Sequence, residues 1–519
     1  MKKKYLLAAA SLMAVLPICA QTPGGVGKPE VWSRDTATVR IPSASGMTYV
    51  GVSRVLADRE QAIWSLGTGR KASRMQTTER AANLSDGTFM NYAQDSLPEL
   101  RLYSYTTAAR GDGSQTLHIG KAGDNTLPVS DLDGGTVEYA VYSRRLSDRE
   151  RLRVESYLAL KYGVSLRSSY LNGHGTVIWN AYANKAYGHR IAGIIADEPS
   201  ALRQDRARSS EEGHFLTVKA GRPLSDGQSL LWGDDNGRLA FAASKAYGKW
   251  LGRKWKAAAT DMPGTAIDIT ADSRQLRQIQ PLAEGESYYL AVDSTGTGTF
   301  PVKTVQYHKA ERDTGDSIVF RGIRPADGDV FTLRAAKDMF TTVEVSQPDE
   351  TKGGTGSLGV RVTGGVPPYR MVLSRERSSV YDHTSGDSLR TVDGLAEGRY
   401  LLATTDRLGN VAENEFQISV TGITELPDDT SGDGADGYFA RVKVSPNPTT
   451  DGNVAVQVEI SDETPLTLSL RTSGGATVST AVLPADTYFA TRIKLPAIGI
   501  YLLTLEAGGH ERTIRLIRK

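Results

Sequence analysis

Residues 136–163 read TVEYAVYSRRLSDRERLRVESYLALKYG, and a change of period inside this stretch sets the architecture. From Thr136 to Tyr142 the run is short, aromatic and β-branched, which marks a strand. After Ser147 the period becomes helical, with Val154, Tyr157, Leu158 and Tyr162 on one face. Ser147 followed three residues later by Glu150 makes a capping box, in which hydroxyl and carboxylate each satisfy an orphan backbone amide. Gly163 stops the helix, because glycine enters the left-handed region without a Cβ clash. The spacing predicts one helix that closes a domain otherwise made of strands.

Upstream, Thr48–Leu56, Ala62–Leu66, Leu100–Tyr105 and Thr116–Ile119 are apolar or alternating runs between Gly, Asp, Asn and Ser clusters, the spacing of a β-sandwich. Residues 21–30, QTPGGVGKPE, read as a Gly/Pro linker. Glycine is 53 of 519 residues, above the usual ~7%, which favours many turns between many strands. At about 150 residues per domain the length suggests three or four domains.

The N-terminus has the pattern of a secretory leader. Lys2, Lys3 and Lys4 precede an apolar run from Tyr5 to Leu16, and Ala20 is a small residue at the expected cut. The run is too short to span a bilayer. Cys19, the only cysteine, leaves a lipoprotein reading open, although Ile18 before it is not small. Removal of 1–20 would leave 58 basic and 59 acidic residues, net −1, which gives no basic nucleic-acid footprint. It would also leave no cysteine, so disulfides, thiolate metal sites and cysteine nucleophiles are excluded from the mature chain.

The stretch ending VEYAVYSRRLSDRERLRVESYLALKYGVSL resembles the end of laminin-G/concanavalin-like domains in surface proteins of Bacteroidota. The continuation, with Val177–Asn180, Ile191–Glu198, Leu230–Gly237 and Arg253–Lys256, is similar to an uncharacterised β-rich module that follows such domains. SLGVRVTGGVPPYRMVL and LAEGRYLLATTDRLGNVAENEFQISV resemble the Ig-like repeats of gliding-type surface adhesins. There Leu358, Val360 and Val362 alternate, Gly364–Pro368 turn the chain, and Tyr400–Thr404 return.

Residues 441–519 resemble the C-terminal sorting domain of type IX secretion. Ser445, Pro446, Asn447 and Pro448 (SPNP), Gly452, then Gly499 and Tyr501 within GIY, and a basic last strand follow that family's order. The residues themselves show a seven-strand-like series of short alternating runs, from Val442/Val444 to Ile514/Leu516. The resemblance implies export by the type IX machinery and removal of the domain by a sortase-like peptidase. It further implies joining of the new C-terminus to an anionic lipopolysaccharide. Residues 423–440, ITELPDDTSGDGADGYFA, are acidic and Gly-rich and read as a flexible linker open to cleavage. The expected class is therefore all-β and multi-domain, with lectin-like and Ig-like β-sandwiches. Its parts are a signal at 1–20, a laminin-G/concanavalin-like sandwich at 21–163, a β-rich module at 164–337, an Ig-like repeat at 338–422, a linker at 423–440 and a sorting domain at 441–519.

Chemistry is sparse. His118, His174, His189, His214, His308, His383 and His510 make no HExxH and no i,i+3 or i,i+4 pair. No GxSxG elbow occurs, and Ser357 in GTGSLG is out of register for one. Asp234–Asp235–Asn236–Gly237 could gather oxygens for calcium, or form a hairpin turn after SLLW with positive φ at Asn-Gly. Asp433, Asp436 and Gly437 lack the full calcium-loop spacing. Glu138 is a candidate sugar-hydrolysis acid, with a solvent-facing strand residue as the alternative. Trp64, Trp179, Trp232 and Trp255 read as core, while Trp32 and Trp250 remain open to sugar stacking. RQDRARSS, 203–210, reads as a solvated loop whose arginines could meet anionic glycan. No catalytic residue, cofactor or metal site is assigned. The expected function is a surface adhesin or glycan/protein-binding protein at the outer membrane, with a host or bacterial surface ligand. The alternatives are a glycan-active hydrolase and an uncleaved component of the secretion machinery.

Overall fold

The computed structural model describes residues 21–518 apart from 42–45, 56–60, 67–72, 78–80, 85–88, 92–99, 109–114, 123–129, 212–214, 313–316, 347–354, 419–437 and 473–475. The leader at 1–20, with Cys19, and the linker as far as residue 437, with Asp433, Asp436 and Gly437, lie outside the described residues, as does His214. Strands dominate, so the fold is all-β with several sheets. Besides the helix Asp148–Tyr162 there is a second, Ser273–Ile279, which the patterning does not predict. It is two turns long, and Asp272 nucleates it by accepting the Gln275 amide at 2.8 Å. The chain divides into two compact units.

The first unit gathers the chain up to Tyr162 with Tyr170–Val177 and Ala196–Arg203. One sheet runs Val31–Ser33, Thr136–Tyr142, Gly46–Arg54, Leu100–Ala108. The other is built on Thr38–Ile41, Gln115–Ile119 and Gln61–Leu66 and continues through three short strands. Tyr49, Tyr139 and Val141 from the first sheet meet Ile63, Trp64, Leu117 and Ile119 from the second in one core. The sandwich read from the sequence is present. The helix covers the outer face of the first sheet, against Gly46–Arg54 and Leu100–Ala108. Gly46–Arg54 is consequently buried on both faces over eight of its nine residues. The capping box forms as expected: the Ser147 amide donates to Glu150 Oε2 at 2.9 Å, and the Glu150 amide donates to Ser147 Oγ at 3.3 Å. Arg144 adds a bidentate pair at 2.8 and 3.1 Å, and with it foremost the Glu150 carboxyl is held down at about 2. Gly163 follows the helix at φ 66°.

The linker expected at 21–30 is instead packed structure. Pro23, Gly24 and Val26 are buried, and the Thr22 amide donates to the Pro199 carbonyl at 3.1 Å. Arg153 on the helix donates to the Gly25 carbonyl at 2.8 Å and to the Gly173 carbonyl. Gly24 has φ 62°, and a Cβ there would lie 2.5 Å from the backbone of Arg153. The glycines are present because the backbone touches the helix, not because the segment is a spacer.

The second unit holds 163–169, 178–195 and 204–519. Its first part is a sandwich. A large sheet contains Ser229–Asp234, Trp255–Thr260, Val330–Lys337 and Glu286–Asp293, and a five-stranded sheet contains Leu216–Ala220, Ile267–Asp272 and Ser317–Ile323. Val218, Trp232, Ile269 and Phe331 line an apolar cavity between them. Within the expected loop 203–210, Arg206–Arg208 is a strand paired with Leu216–Ala220, with Ala207 buried between two exposed arginines.

The Ig-like part is a three-stranded sheet against a four-stranded one. Leu358, Val360 and Val362 point inward, as their alternation predicts, against Met371, Leu373, Leu402 and Phe416. Two buried joints tie this part to the preceding sandwich. Arg334, 2% exposed, donates to Thr342 Oγ1 at 2.8 Å and to the Thr341 carbonyl at 3.1 Å, beneath the rings of Phe340 at 4.3 Å and Trp250 at 5.1 Å. The hairpin Phe241–Leu251 reaches across at its tip: Asn414 Nδ2 donates to the Ala246 carbonyl at 2.7 Å.

Among its described residues the terminal part has five strands rather than seven. Asn453–Thr472 and Thr477–Lys494 are long and bend, with register shifts near Glu459–Leu466, so each serves both halves of the domain. The runs Val454–Ile460 and Leu466–Leu470, separate in the sequence pattern, belong to one strand. Their inward residues join Leu503, Leu505 and Leu516 in one core.

Gly24→Val is expected to lower the stability of the first unit by ~2–4 kcal/mol, because the new side chain must displace helix backbone. Thermal unfolding checks it, and the same substitution at Gly27, which has nothing within 4 Å, is the control.

Candidate functional site

Glu138 is not solvent-facing. It is 1% exposed, on the strand Thr136–Tyr142, turned toward the helix. Oε1 accepts from Trp32 Nε1 at 2.9 Å and Tyr157 Oη at 2.7 Å. Oε2 accepts from Lys161 Nζ at 2.7 Å, Tyr162 Oη at 2.6 Å and Arg34 Nε at 3.3 Å. Burial alone would push this carboxyl up, but the Lys161, Tyr162, Trp32 and Tyr157 donors outweigh it and hold it at about 2. Its lone pairs are taken and it stays ionised, so it is unsuited to protonate a leaving group. Its chemistry is that of a staple joining helix to sheet. Tyr162, placed by period on the apolar face, contributes its hydroxyl to this staple and is only half-buried.

The aromatic candidates are mostly engaged. Trp64, Trp179, Trp232 and Trp255 are buried core, as expected. Trp250 packs against Phe300 with the rings tilted at 43° and their centroids 5.3 Å apart. Trp32 is 39% exposed but fixed edge-on to Tyr157 and bonded to Glu138. Ser357 lies in a ladder opposite Ser346.

Asp234–Gly237 is a turn, with Asn236 at φ 59°. It does not join adjacent hairpin strands, because Ser229–Asp234 pairs with Trp255–Thr260 and the hairpin Phe241–Leu251 intervenes. Asp234 is fully buried and ion-paired with Arg190, whose Nε donates at 2.7 Å. Asp235 Oδ1 accepts the Gly237 and Lys254 amides at 2.9 and 3.0 Å. These oxygens are committed within the fold and do not converge on an open cation position.

The residues of the terminal motif, by contrast, come together. Ser445 is buried, and the peptide bonds before Pro446 and Pro448 are cis. Asn447 lies beside the last strand, His510–Arg518: its Nδ2 donates to the Arg515 carbonyl and its Oδ1 accepts the Ile517 amide, both at 2.9 Å. The Thr449 amide donates to the Ile517 carbonyl at 2.8 Å. Gly452, at φ 84°, approaches so closely that a Cβ would be 2.5 Å from the Leu495 carbonyl oxygen. Arg518 Nη1 donates to that same oxygen at 2.6 Å. Gly499 pairs with Arg518, and Tyr501 with Leu516, while Tyr501 Oη donates to the Ala497 carbonyl at 2.9 Å. The first and last segments of the domain thus form one closed end.

One residue of this domain has no signal in the pattern. Glu459 falls on the polar side of Val454–Ile460, yet it is only 8% exposed, opposite Arg441 and Tyr488 on a strand contacted by the hairpin Phe241–Leu251. Burial pushes its carboxyl up to about 7, against the pull of Arg441 and Lys443.

A family model described as a domain of unknown function (DUF8202) matches residues 150–329. It begins inside the helix Asp148–Tyr162 and so takes that helix together with the β-rich module. No curated protein matches. Among solved structures the chain is similar to a two-domain fibronectin type-III segment from chicken tenascin, at 17% identity over 34% of this chain and 97% of that one, with a TM-score of 0.14. It is similar to the BSP domain of a biofilm-associated protein at 10% identity, over 93% and 96%, with a TM-score of 0.14. A point mutant of the NanB sialidase from Streptococcus pneumoniae gives 10% identity, over 94% and 99%, with a TM-score of 0.22. Such scores carry no argument about activity.

Three outcomes follow from this geometry. The Glu138 carboxyl lies below its ordinary 4.5, so its contribution is present above about pH 4.5 and is lost as the pH falls toward 2, roughly 3 kcal/mol in all. Glu138→Ala, which strands Lys161 and four further donors, should cost ~3–5 kcal/mol at neutral pH, read by denaturant unfolding. Asn447→Ala should speed hydrogen exchange at the Ile517 amide while leaving Leu468, in the core ladder, unchanged.

Proposed function

We propose that this chain is a non-catalytic, multi-domain binding protein of the cell surface, an adhesin or glycan/protein-binding protein, exported by a type IX machine and held at the outer membrane. The N-terminal leader pattern would take it to the periplasm. Residues 441–519 would then serve as the sorting signal read by the machinery. The observation that carries this reading is the closed end of the terminal domain. There motif residues dispersed over 57 positions reach one strand: Asn447 bonds to it, Gly499 and Tyr501 pair with it, and Gly452 packs beside its Arg518. A signal recognised after folding needs such a fixed surface, because a pre-formed site loses less entropy on binding than a mobile tail does.

The tandem sandwiches supply extended, rigid strand surfaces and loops, which suits binding without assigning a ligand. The hydrolase alternative loses its one named acid, since Glu138 is enclosed by five donors. The machinery-component alternative differs in a single respect, retention of the terminal domain.

Deleting Val442–Lys519 should leave the protein in the periplasm, detected by fractionation and surface protease accessibility. Normal surface display of the truncated chain would overturn the proposal. In the full-length protein recovered from the surface, a peptide spanning Thr424 to Val444 found intact in most molecules by mass spectrometry would favour the retained-component alternative.

A further inference from the structure

The outer face of the terminal domain's last four-stranded layer has an unusual charge order. Strand register places Arg515, Leu502 and Arg471 in one row across the sheet. Two residues along lie Thr513, Thr504, Ser469 and Thr480. Two residues further lie Glu511, Glu506, Thr467 and Val482. The inward neighbours Leu503 and Leu505 belong to the core, so these three rows share the opposite face.

This face is open. Arg471, Arg515, Glu506 and Glu511 are exposed, and Val482 is 65% and Leu502 37% exposed. None of the four charged side chains enters an ion pair among the described residues. The middle row is flat and uncharged, with Thr504 and Thr513 hydroxyls 3.1 Å apart. Two like-charged residues on each end row repel one another, and no ion pair among the described residues offsets them.

We propose that this face docks against the same face of a second copy of the chain. The argument is charge complementarity under symmetry. A two-fold axis through the hydroxyl row reverses the order of the rows, so the arginine row of one copy lies over the glutamate row of the other. With the axis lying along the hydroxyl row, each strand crosses over its own copy, so Arg515 faces Glu511 of the second copy twice over. The rows are four residues apart, about 13 Å along the strand, so attraction occurs at both ends of the contact, where the long charged side chains stand above the recessed hydroxyl row. Two such faces pack aligned, offset by roughly 30° because each sheet is twisted. Contact in this form is isologous and closes at two copies, which avoids open filaments. It is also polar and salt-sensitive, the character of a reversible rather than permanent interface.

The test is a charge swap on the chain 21–519, which keeps the terminal domain, read by sedimentation equilibrium. Arg471→Glu with Arg515→Glu leaves only acids on the face, and Glu506→Arg with Glu511→Arg leaves only bases. Each variant alone should dimerise at least ~10-fold more weakly than the unaltered chain, and an equimolar mixture should restore dimers, now of mixed composition. Raising salt from 0.1 to 1 M should weaken the unaltered dimer by ~10-fold or more, a readout that needs no substitution. A monomeric unaltered chain, a dimer indifferent to salt, or variants that still self-associate as tightly as before would each overturn the proposal. So would failure of the mixture to associate when both variants show native circular dichroism.

Discussion

A buried carboxylate fastens the first unit. Glu138 sits between a sheet and a helix, where a charge is costly unless its partners travel with it. Here they do: Tyr157, Lys161 and Tyr162 come from the helix, Trp32 and Arg34 from the first strand and the loop after it. Because the donors arrive from three segments, the carboxylate fixes helix rotation and strand register at once. The helix in turn sets the path of 21–26, since Arg153 leaves it to bind the Gly25 carbonyl, and Gly24 rests on its backbone. Loss of the charge would loosen all of these together, whereas loss of a surface pair such as Arg151–Asp148 would change little.

The second unit uses the opposite device. Arg334 is buried without a carboxylate and is surrounded by rings and hydroxyls, with Phe340, Trp250 and Tyr307 over its plane. Burial depresses its pKa, but an arginine stays charged across any working pH. Its donors end on Thr341 and Thr342, the first residues of the Ig-like part after Phe340. The joint between the two parts is therefore stiff and insensitive to pH, unlike the Glu459 region, where a carboxyl held near neutrality lies on a strand contacted by the hairpin tip.

What the sequence made legible was local. The helix with its capping box, the Ig-like alternation and the four core tryptophans all depend on neighbours within a turn or a strand. Glu138 was obscured because period-two reasoning assumes one wet face, while the strand TVEYAVY has a core on one side and a helix on the other. The run of apolar residues on both faces was the available signal. At 21–30 composition misled, because a glycine that permits close approach has the same letter as a glycine in a spacer. In the terminal domain seven runs became five strands, since a bend shows in the sequence as an interruption like any turn.

The SPNP segment has a physical role that precedes any recognition. The last strand, His510–Arg518, pairs on one side with Gly499–Ala507 and would otherwise present its other edge bare. An unpaired edge of this kind is a template for stray pairing, and proteins cover it. Asn447 does so with its side chain, using one amide group to satisfy the Arg515 carbonyl and the Ile517 amide as a neighbouring strand would. Thr449 continues with its backbone. A strand in that place would extend the sheet and expose a new edge. A side chain followed by a turn ends the sheet, and Gly452, tucked against Leu495, allows the turn to be tight enough. The motif and the final strand are therefore interdependent: the strand is protected only while the motif is present, and the motif is ordered only while the strand is there to receive it.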